Sequence, residues 1–362
     1  MKLYAIGDLH LGHRVNKEEL ANLRPHPDDG LILVGDIGET PEHLELAFSA
    51  ATRNFAQVFW CPGNHELYSL VTQTKLRGRA KYQECIDVAR RHGDPYTVWE
   101  GADYGDGTGG PVMIAPVFTL YDYSFRPAHV TREGALKWAE EADTVASDEF
   151  LLHPDPYPSR EAWCDALVAE TERRLEEAMA AYRAKTAAAN TASGGDQEQQ
   201  QQKPLSVVIA NHWPLREDLI YIPRVPRFTL WCGTKKTADW HTRFNAKVVV
   251  SGHLHVPRTD WRDGTRFEEC SLGYPRQWEP ARAQGLNIND CLREVLPGPA
   301  SGPPAAMTTA GSGGTGPGAV GGMRRRSGGG MGEAKGLWCR ITTWYKRGRY
   351  ARMWAVEYTA VG

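Results

Sequence analysis

Short apolar runs mark five positions along the chain, each of three or four residues. They are too short for helices and together are rich in β-branched side chains, which is typical of buried strands. The runs are Leu3–Ile6, Leu31–Val34, Val58–Trp60, Val207–Ala210 and Val248–Val250. Helical patterns separate several of them, so the sequence predicts strands alternating with helices in an α/β architecture.

Three segments carry helix-start signals. Asn16 followed by Glu19 resembles an N-terminal capping box. Thr40, with a proline directly after it, predicts the start of a helix that continues to about Phe55. Ser159 is predicted to cap a longer helix. The residues expected on one side of that helix are Trp163, Leu167, Leu175, Met179 and Tyr182.

Two segments differ in composition from the rest of the chain. Residues at about 187–203 include a run of glutamines and lack apolar side chains to bury, which predicts a flexible surface insertion. Residues 297–336 consist mostly of Gly, Pro, Ala, Ser and Thr, which predicts a disordered linker. We therefore expect one domain over 1–296, interrupted by the insertion and followed by the linker and a tail over 337–362.

Composition narrows the class of protein without identifying it. The 362 residues include 42 Lys and Arg, 44 Asp and Glu, and 41% apolar residues, as in an ordinary globular protein. A mostly disordered chain, a collagen-like fibre and a disulfide-stapled scaffold are excluded. No run approaches the roughly 18 apolar residues of a membrane span, and no signal peptide is indicated. The seven cysteines are scattered without a CxxC pair, which favours free thiols and a cytoplasmic location.

Charge is distributed unevenly. Residues 298–362 have a net charge of +7, so the preceding residues carry −9 within a total of −2. An acidic body does not indicate a general nucleic-acid-binding protein. The tail alternates aromatic and basic residues, a pattern that can bind single-stranded nucleic acid. We favour the simpler interpretation that the tail is a poorly ordered extension without which the chain would keep its activity.

A polar cluster follows each apolar run directly. These clusters are Gly7-Asp8-Leu9-His10, Gly35-Asp36, Gly63-Asn64-His65-Glu66, Asn211-His212 and Gly252-His253-Leu254-His255. Ligand sites of α/β sheets lie outside the carboxyl ends of the strands, so all five clusters could converge. Carboxylate, imidazole and amide groups suit Mn, Fe, Zn or similar ions better than Ca²⁺. Their number exceeds the needs of one ion, whereas two ions sharing a carboxylate would use them all, and such pairs promote displacement at phosphorus.

In this order the clusters read D-x-H, GD, GNHE, a single His and GHxH, and the chain resembles the calcineurin-like metallophosphoesterases. The resemblance covers roughly residues 1–280 and is closest to small predicted phosphohydrolases. It implies a four-layer αββα sandwich of two mixed β-sheets. It also implies hydrolysis of a phosphoester by a hydroxide that bridges two divalent metal ions. The substrate would be a small phosphomonoester, a phosphodiester or a nucleotide, with no membrane partner.

The resemblance also assigns roles to individual residues. The first metal would be held by Asp8, His10 and His255, and the second by Asn64, His212 and His253. Asp36 would bridge the two ions. His65 would act beside them as the catalytic acid, contacting the phosphate or protonating the leaving oxygen.

Three alternatives bear on this interpretation. The Ser/Thr protein phosphatases of the superfamily carry Asp-Arg-Gly after the second motif, but here Asp36 is followed by Ile-Gly-Glu-Thr, which argues against that branch. A protein-binding scaffold with damaged metal motifs is a second alternative, and the intact ligand set argues against it. A nuclease is the third, although the insertion and linker do not resemble the capping domains of DNA repair nucleases.

Outside the motifs, a few residues could take part in substrate binding. Arg14 and Arg216 lie near motifs in sequence and could grip a phosphate, although a solvated surface arginine is the more common case. The aromatic loop around Tyr121 and Tyr123 and the one at Trp231 could stack on a substrate ring, but packing in the core is the favoured interpretation. Cys61, close to the third motif, is expected to be a buried, inert thiol.

Overall fold

The protein is described by a computed structural model that covers residues 1–70, 72, 74–93, 99–101, 111–192 and 205–298. The predicted linker at 297–336, apart from its first two residues, and the tail at 337–362 lie outside the described residues, as does the insertion from 193 onward. Two mixed β-sheets pack face to face and helices flank them, as the fold prediction stated. No helix within the described residues is long and apolar enough to span a membrane.

The first sheet has the strand order β10-β1-β2-β3. Its strands are β1 (Leu3–Ile6), β2 (His26–Val34), β3 (Phe55–Cys61) and β10 (Arg293–Leu296). β1, β2 and β3 are parallel to one another, and β10 runs antiparallel to β1. The carboxyl ends of three strands therefore meet at one edge of this sheet.

The second sheet has the order β4-β5-β6-β7-β9-β8. Its strands are β4 (Trp99–Gly101), β5 (Val112–Pro116), β6 (Ser206–Ala210), β7 (Ala246–Ser251), β8 (Arg258–Arg262) and β9 (Thr265–Glu269). The four central strands are parallel, and β4 and β8 run antiparallel at the two edges. This sheet too gathers the carboxyl ends of its parallel strands at one side.

Helices and short 3-10 turns connect the strands. The described helices are α1 (Arg14–Leu20), α2 (Pro41–Asn54), α3 (Gly78–Arg91), α4 (Ala135–Glu140), α5 (Asp148–Leu151), α6 (Arg160–Ala192), α7 (Trp240–Arg243) and α8 (Pro275–Arg282). The 3-10 turns are His65–Leu67, Glu217–Leu219, Pro226–Trp231, Lys235–Thr237 and Ile288–Cys291. α2 packs on β2 and β3, and α7 packs on β7.

The core follows the two-residue period of the strands. In β1, Leu3 and Ala5 face the opposite sheet, where they belong to a buried apolar cluster with Val208 and Val250. Ile6 belongs instead to the larger core beneath the helices. Strands buried on both faces cannot alternate apolar with polar residues, which is why the sequence shows continuous apolar runs.

The predicted strands are present, and three of them are distinctly longer than their apolar runs. β2 begins at His26, and its first four residues are partly or fully exposed, so hydrophobicity alone did not reveal them. The predicted start of α2 is confirmed, since the Thr40 side chain accepts a hydrogen bond from the His43 N–H. α6 follows Ser159 as predicted, and its backbone continues to Ala192, within the segment assigned to the insertion.

The capping box predicted at Asn16 is wrong. Asn16 lies inside α1 and is buried, and His13 occupies the N-cap position. The Asn16 amide donates hydrogen bonds to the carbonyl oxygens of Leu9 and Gly273 at 2.8 and 3.0 Å. A tertiary role for the side chain has replaced the local one that the sequence pattern indicated.

Candidate metal centre

All seven predicted ligands lie at one place, between the carboxyl ends of the two sheets. Asp8 and His10 follow β1, and Asp36 follows β2. The others follow β3, β6 and β7: Asn64, His212, His253 and His255. The Nδ1–H of His212 donates to the carbonyl oxygen of Val34 at 2.9 Å, which links the ends of the two sheets directly.

The backbone of this region is held in an unfavourable conformation. The φ angles of five of the candidate ligands are positive, at 43° to 72°; they are Asp8, His10, Asp36, His253 and His255. Residues other than glycine rarely adopt positive φ angles. Such backbone strain persists only where the surrounding structure enforces it. The neighbouring glycines allow the crowding, because a Cβ at Gly252 would collide with Asp8 and one at Gly63 would collide with Asp36.

The first group of donor atoms comes from Asp8, His10, Asp36 and His255. All four atoms lie within 4.8 Å of one another. The Nε2 atoms of His10 and His255 are 3.1 Å apart, and Asp8 Oδ1 lies 2.8 Å from His255 Nε2. Neighbouring ligands at about 2.0–2.2 Å from one ion are roughly 2.8–3.1 Å apart in octahedral geometry, so these two separations fit a bound cation.

The second group comes from Asp36, His212 and His253, with Asn64 beside them. His212 Nε2 lies 3.2 Å from His253 Nδ1 and 3.2 Å from Asn64 Oδ1. Asp36 Oδ2 lies 3.5 Å from His212 Nε2. Because Asp36 belongs to both groups, one carboxylate is placed between two sets of donors.

Two buried carboxylates give the site a negative charge that attracts cations. Asp8 and Asp36 are buried carboxylates, and their described ion pairs are with histidines. Burial lowers the pKa of His10, and burial together with the proximity of His212 lowers the pKa of His253 to about 3. Both imidazoles are therefore neutral at pH 7, which is the form that binds metal. Burial opposes a positive charge on His212 and His255 as well, but Asp36 raises the pKa of His212 to about 10 and Asp8 raises the pKa of His255, so these two rings would release a proton when a metal binds.

His65 lies beside the donor groups with a carboxylate behind it. Its Nδ1 is 2.9 Å from Glu39 Oε1, and its Nε2 is 3.8 Å from Asp36 Oδ2. Burial opposes a positive charge on His65, but Asp36 and Glu39 outweigh burial and raise the pKa of His65 to about 9. His65 can thus carry a proton on Nε2 at neutral pH, facing the centre.

Several supporting residues are absent from the sequence-based set. Asp148, on α5, accepts a hydrogen bond from the Asn64 amide nitrogen at 3.0 Å, which turns the Asn64 oxygen toward His212. Ser271 donates to Asp8 at 2.7 Å, and Gln277 accepts from His255 Nδ1 at 2.8 Å. Two supporting residues could have been identified from the sequence: Glu66 lies within the quoted GNHE motif, and Glu39 follows the GD motif closely.

Glu66 ties together two of the loops that carry ligands. Its carboxylate is buried and accepts hydrogen bonds from the backbone N–H groups of Asp36, Ile37 and Gly63, at 3.0, 2.6 and 2.7 Å. One side chain therefore satisfies three backbone donors that would otherwise be unpaired, and it fixes the turns after β2 and β3 relative to each other.

We expect Glu66→Gln to destabilise the protein by about 1–3 kcal/mol, because the new amide group would face a buried N–H donor instead of accepting from it. Denaturant unfolding checks this, with Glu177→Gln, an exposed position on α6, as the matched control. Equal unfolding free energies for the two variants would show that Glu66 has no such structural role.

The less certain candidates pair with carboxylates or are buried in the core. Arg14 pairs with Glu18, and Arg216 pairs with Asp218 and Asp263, so the proposed phosphate-gripping role is not supported by their contacts. The packing interpretation of the aromatic loops is confirmed: Tyr121, Tyr123 and Trp231 are buried. Cys61 is also buried, and the described cysteines are free thiols.

Comparison with known proteins agrees with this geometry. The family model for calcineurin-like phosphoesterases matches residues 1–257. The chain is 42% identical over 306 residues to the [acyl-carrier-protein] phosphodiesterase PptH of Mycobacterium tuberculosis, covering 82% of this chain and 84% of that protein. The crystal structure of phosphopantetheinyl hydrolase (PptH) from the same organism matches with a TM-score of 0.67 and 41% identity, covering 84% of this chain and 98% of that one.

The matches span most of the chain and include every strand that precedes a polar cluster. They favour an enzyme over the scaffold alternative, as do the two groups of Asp and His side chains that could hold a metal ion. The chain belongs to the calcineurin-like phosphoesterase family and is a metallophosphoesterase, a hydrolase that cleaves phosphoester bonds with the help of divalent metal ions.

Proposed function

We propose that this protein hydrolyses the phosphodiester that joins a phosphopantetheinyl group to an acyl carrier protein. The observation that carries the proposal is the 42% identity to a phosphodiesterase named for that substrate, over 84% of its length. The sequence left monoesters, diesters and nucleotides open. The name of this relative favours a phosphodiester substrate in which one of the two groups esterified to the phosphate is a protein.

We further propose that two divalent ions, Mn, Fe or Zn, occupy the two donor groups. Asp8, His10 and His255 would hold the first ion, and Asn64, His212 and His253 the second, with Asp36 shared. The short distances between lone-pair-bearing nitrogens support this assignment. When bound, such ions activate water for attack and offset charge on the phosphoryl oxygens.

His65 supplies the proton in this proposal. Water adds to phosphorus and releases a proton to solvent, the bond from phosphorus to the carrier protein's oxygen breaks, and that oxygen takes the proton from His65 Nε2. The His65 ring then regains a proton from solvent. Glu39 holds the opposite nitrogen of the ring, which keeps Nε2 directed at the centre. A pKa of about 9 leaves His65 protonated at neutral pH, as a general acid requires.

We also propose that the enzyme works in the cytoplasm. The described cysteines are free, and five of the six are buried. Free thiols persist in reducing compartments, which is the environment of the cytoplasm.

The test is incubation of the purified protein with Mn²⁺ and an acyl carrier protein that bears its phosphopantetheinyl group. We expect intact-mass spectrometry to show a carrier protein lighter by that group, and the released product to be phosphopantetheine. The Asp36→Asn variant and a chelator-treated sample should leave the carrier protein unchanged.

Two small chromogenic substrates complete the design: p-nitrophenyl phosphate, a monoester, and bis-p-nitrophenyl phosphate, a diester. We expect metal-dependent turnover with the diester to exceed that with the monoester. Hydrolysis of the small diester with an untouched carrier protein would retain the enzyme class and reject the proposed substrate.

A further inference from the structure

A pocket of about 470 Å³ shares lining residues with the apolar cluster around Leu254. Its walls come from the loop after β5, from α4 and from the segment 217–229. The lining is mainly apolar and includes Phe125, Trp138, Ile220, Tyr221 and Pro226. Pockets for small organic ligands are commonly 300–1,000 Å³ and apolar with a few polar groups, and this one matches both criteria.

The pocket is connected to the metal centre by side-chain packing. Phe228, in the same segment, stacks on the ring of His253, with the ring centroids 5.6 Å apart and the planes inclined by 27°. Phe125 and Ile220, which line the pocket, belong to one apolar cluster with Phe228 and with Leu254, the residue between His253 and His255. Side-chain packing therefore connects His253, through Phe228 and this cluster, to residues that line the pocket.

The segment 217–229 exposes large apolar side chains to solvent, which indicates a ligand-binding surface. Tyr221 is 47% exposed and Val225 is 40% exposed, although both are large apolar residues. Clustered apolar exposure on a folded protein commonly marks a binding site. Polar groups are placed at the same pocket, since Glu217, Arg227 and Thr229 contribute to its lining.

We propose that this pocket binds the pantetheine arm of the substrate, an inference that rests on the proposed function. The arm is a flexible chain with a dimethyl-branched carbon, two amides and a terminal thiol. Its branched and methylene carbons suit the aromatic and aliphatic walls, and its amides suit the few polar groups. The phosphate charge is met at the metal centre, so the pocket needs no cluster of cations.

Tyr221 provides the test because its side chain is half exposed and can be truncated without opening the core. The substrates are bis-p-nitrophenyl phosphate and the p-nitrophenyl diester of phosphopantetheine, in which a small chromophore replaces the carrier protein. We expect Tyr221→Ala to lower the ratio of kcat/KM for the pantetheinyl diester to that for the small diester by about tenfold. Tyr221→Phe should keep the ratio near that of the unaltered enzyme.

Leu46→Ala, a similarly exposed apolar position on α2, is the matched control and should leave both rates unchanged. Free pantetheine should also inhibit the unaltered enzyme against the pantetheinyl diester, and inhibit Tyr221→Ala only at about tenfold higher concentration. Thermal unfolding of each variant verifies that it is folded.

Two results would overturn the inference. An unchanged ratio in Tyr221→Ala would show that the arm does not use this pocket. A loss confined to the intact carrier protein, with the pantetheinyl diester unaffected, would assign the exposed segment to the carrier protein's surface instead. Failure of the proposed function would give a different result. The unaltered enzyme would then leave the carrier protein intact and would not prefer the pantetheinyl diester over bis-p-nitrophenyl phosphate. The pocket assignment would be rejected together with the proposed function.

Discussion

Asp36→Asn is expected to lower kcat/KM for any phosphoester substrate by at least about 10³-fold and to abolish metal loading. Asp36 is the one carboxylate common to both donor groups, and its replacement by a neutral amide removes a buried negative charge from each of them. Metal analysis of the purified variant and a chromogenic diester assay measure the two effects. His253→Ala is expected to behave in the same way, because it removes a donor from the second group.

Asp87→Asn is the control for this experiment. Asp87 lies on α3 with a side chain that is 56% exposed, so the same change of functional group occurs there without burial. Metal content and turnover should match those of the unaltered protein. Retention of two equivalents of metal by Asp36→Asn would contradict the shared-ligand role of Asp36.

His65→Ala is expected to lower kcat by about 10²–10⁴-fold while the bound metal is retained. His65 lies beside the donor groups, and its assigned role is to give a proton to the leaving oxygen rather than to hold an ion. Metal analysis alongside steady-state kinetics separates the two roles. His26→Ala is a suitable control, because His26 lies at the opposite end of β2 from Asp36. Loss of metal from His65→Ala with an unimpaired residual rate would disprove the assignment.

Glu39→Gln should reveal how the His65 proton is held. Glu39 is one of the two carboxylates whose charge raises the pKa of His65, so removing that charge lowers the pKa. Because the acid form of His65 is required, activity is lost as pH rises through this pKa. The alkaline limb of the kcat/KM profile should thus lie at lower pH in Glu39→Gln than in the unaltered enzyme, with turnover reduced about tenfold. Coinciding alkaline limbs would show that Glu39 does not tune His65.

The informative quantity is the difference between the kcat/KM profiles of Glu39→Gln and the unaltered enzyme. Cations bound at Asp36 would offset part of that residue's charge and move the limb of both enzymes together. The difference between the profiles then reports the contribution of Glu39 alone. Metal content must be equal in the two samples for the comparison to hold.

The convergence of the candidate ligands could be predicted from the sequence because it depends on local order along parallel strands. Asp8, Asp36 and Asn64 each follow an apolar run, and parallel strands bring their carboxyl ends to the same edge. The start of α2 was equally local, since Thr40 satisfies an N–H group three residues away. Such features need no knowledge of the rest of the chain.

Residues that position the ligands were decided by the tertiary structure. Asp148 contacts Asn64 from 84 positions away, and Ser271 reaches Asp8 across 263 positions. Neither residue has a neighbouring motif, because its role exists only once distant elements pack together. Asn16 shows the converse, since a local capping pattern was overridden when its amide found two buried carbonyl oxygens.

The fold class and the family could be predicted from the sequence, as could the types of residue gathered at the centre, because strand periodicity and the residues after each strand are properties of short segments. Three features emerge from the packing of distant segments: the carboxylate that holds His65, the direction of the Asn64 amide and the surface beside His253. These depend on contacts between segments far apart in the chain, such as Phe228 against His253, and packing selects such contacts without leaving a local pattern.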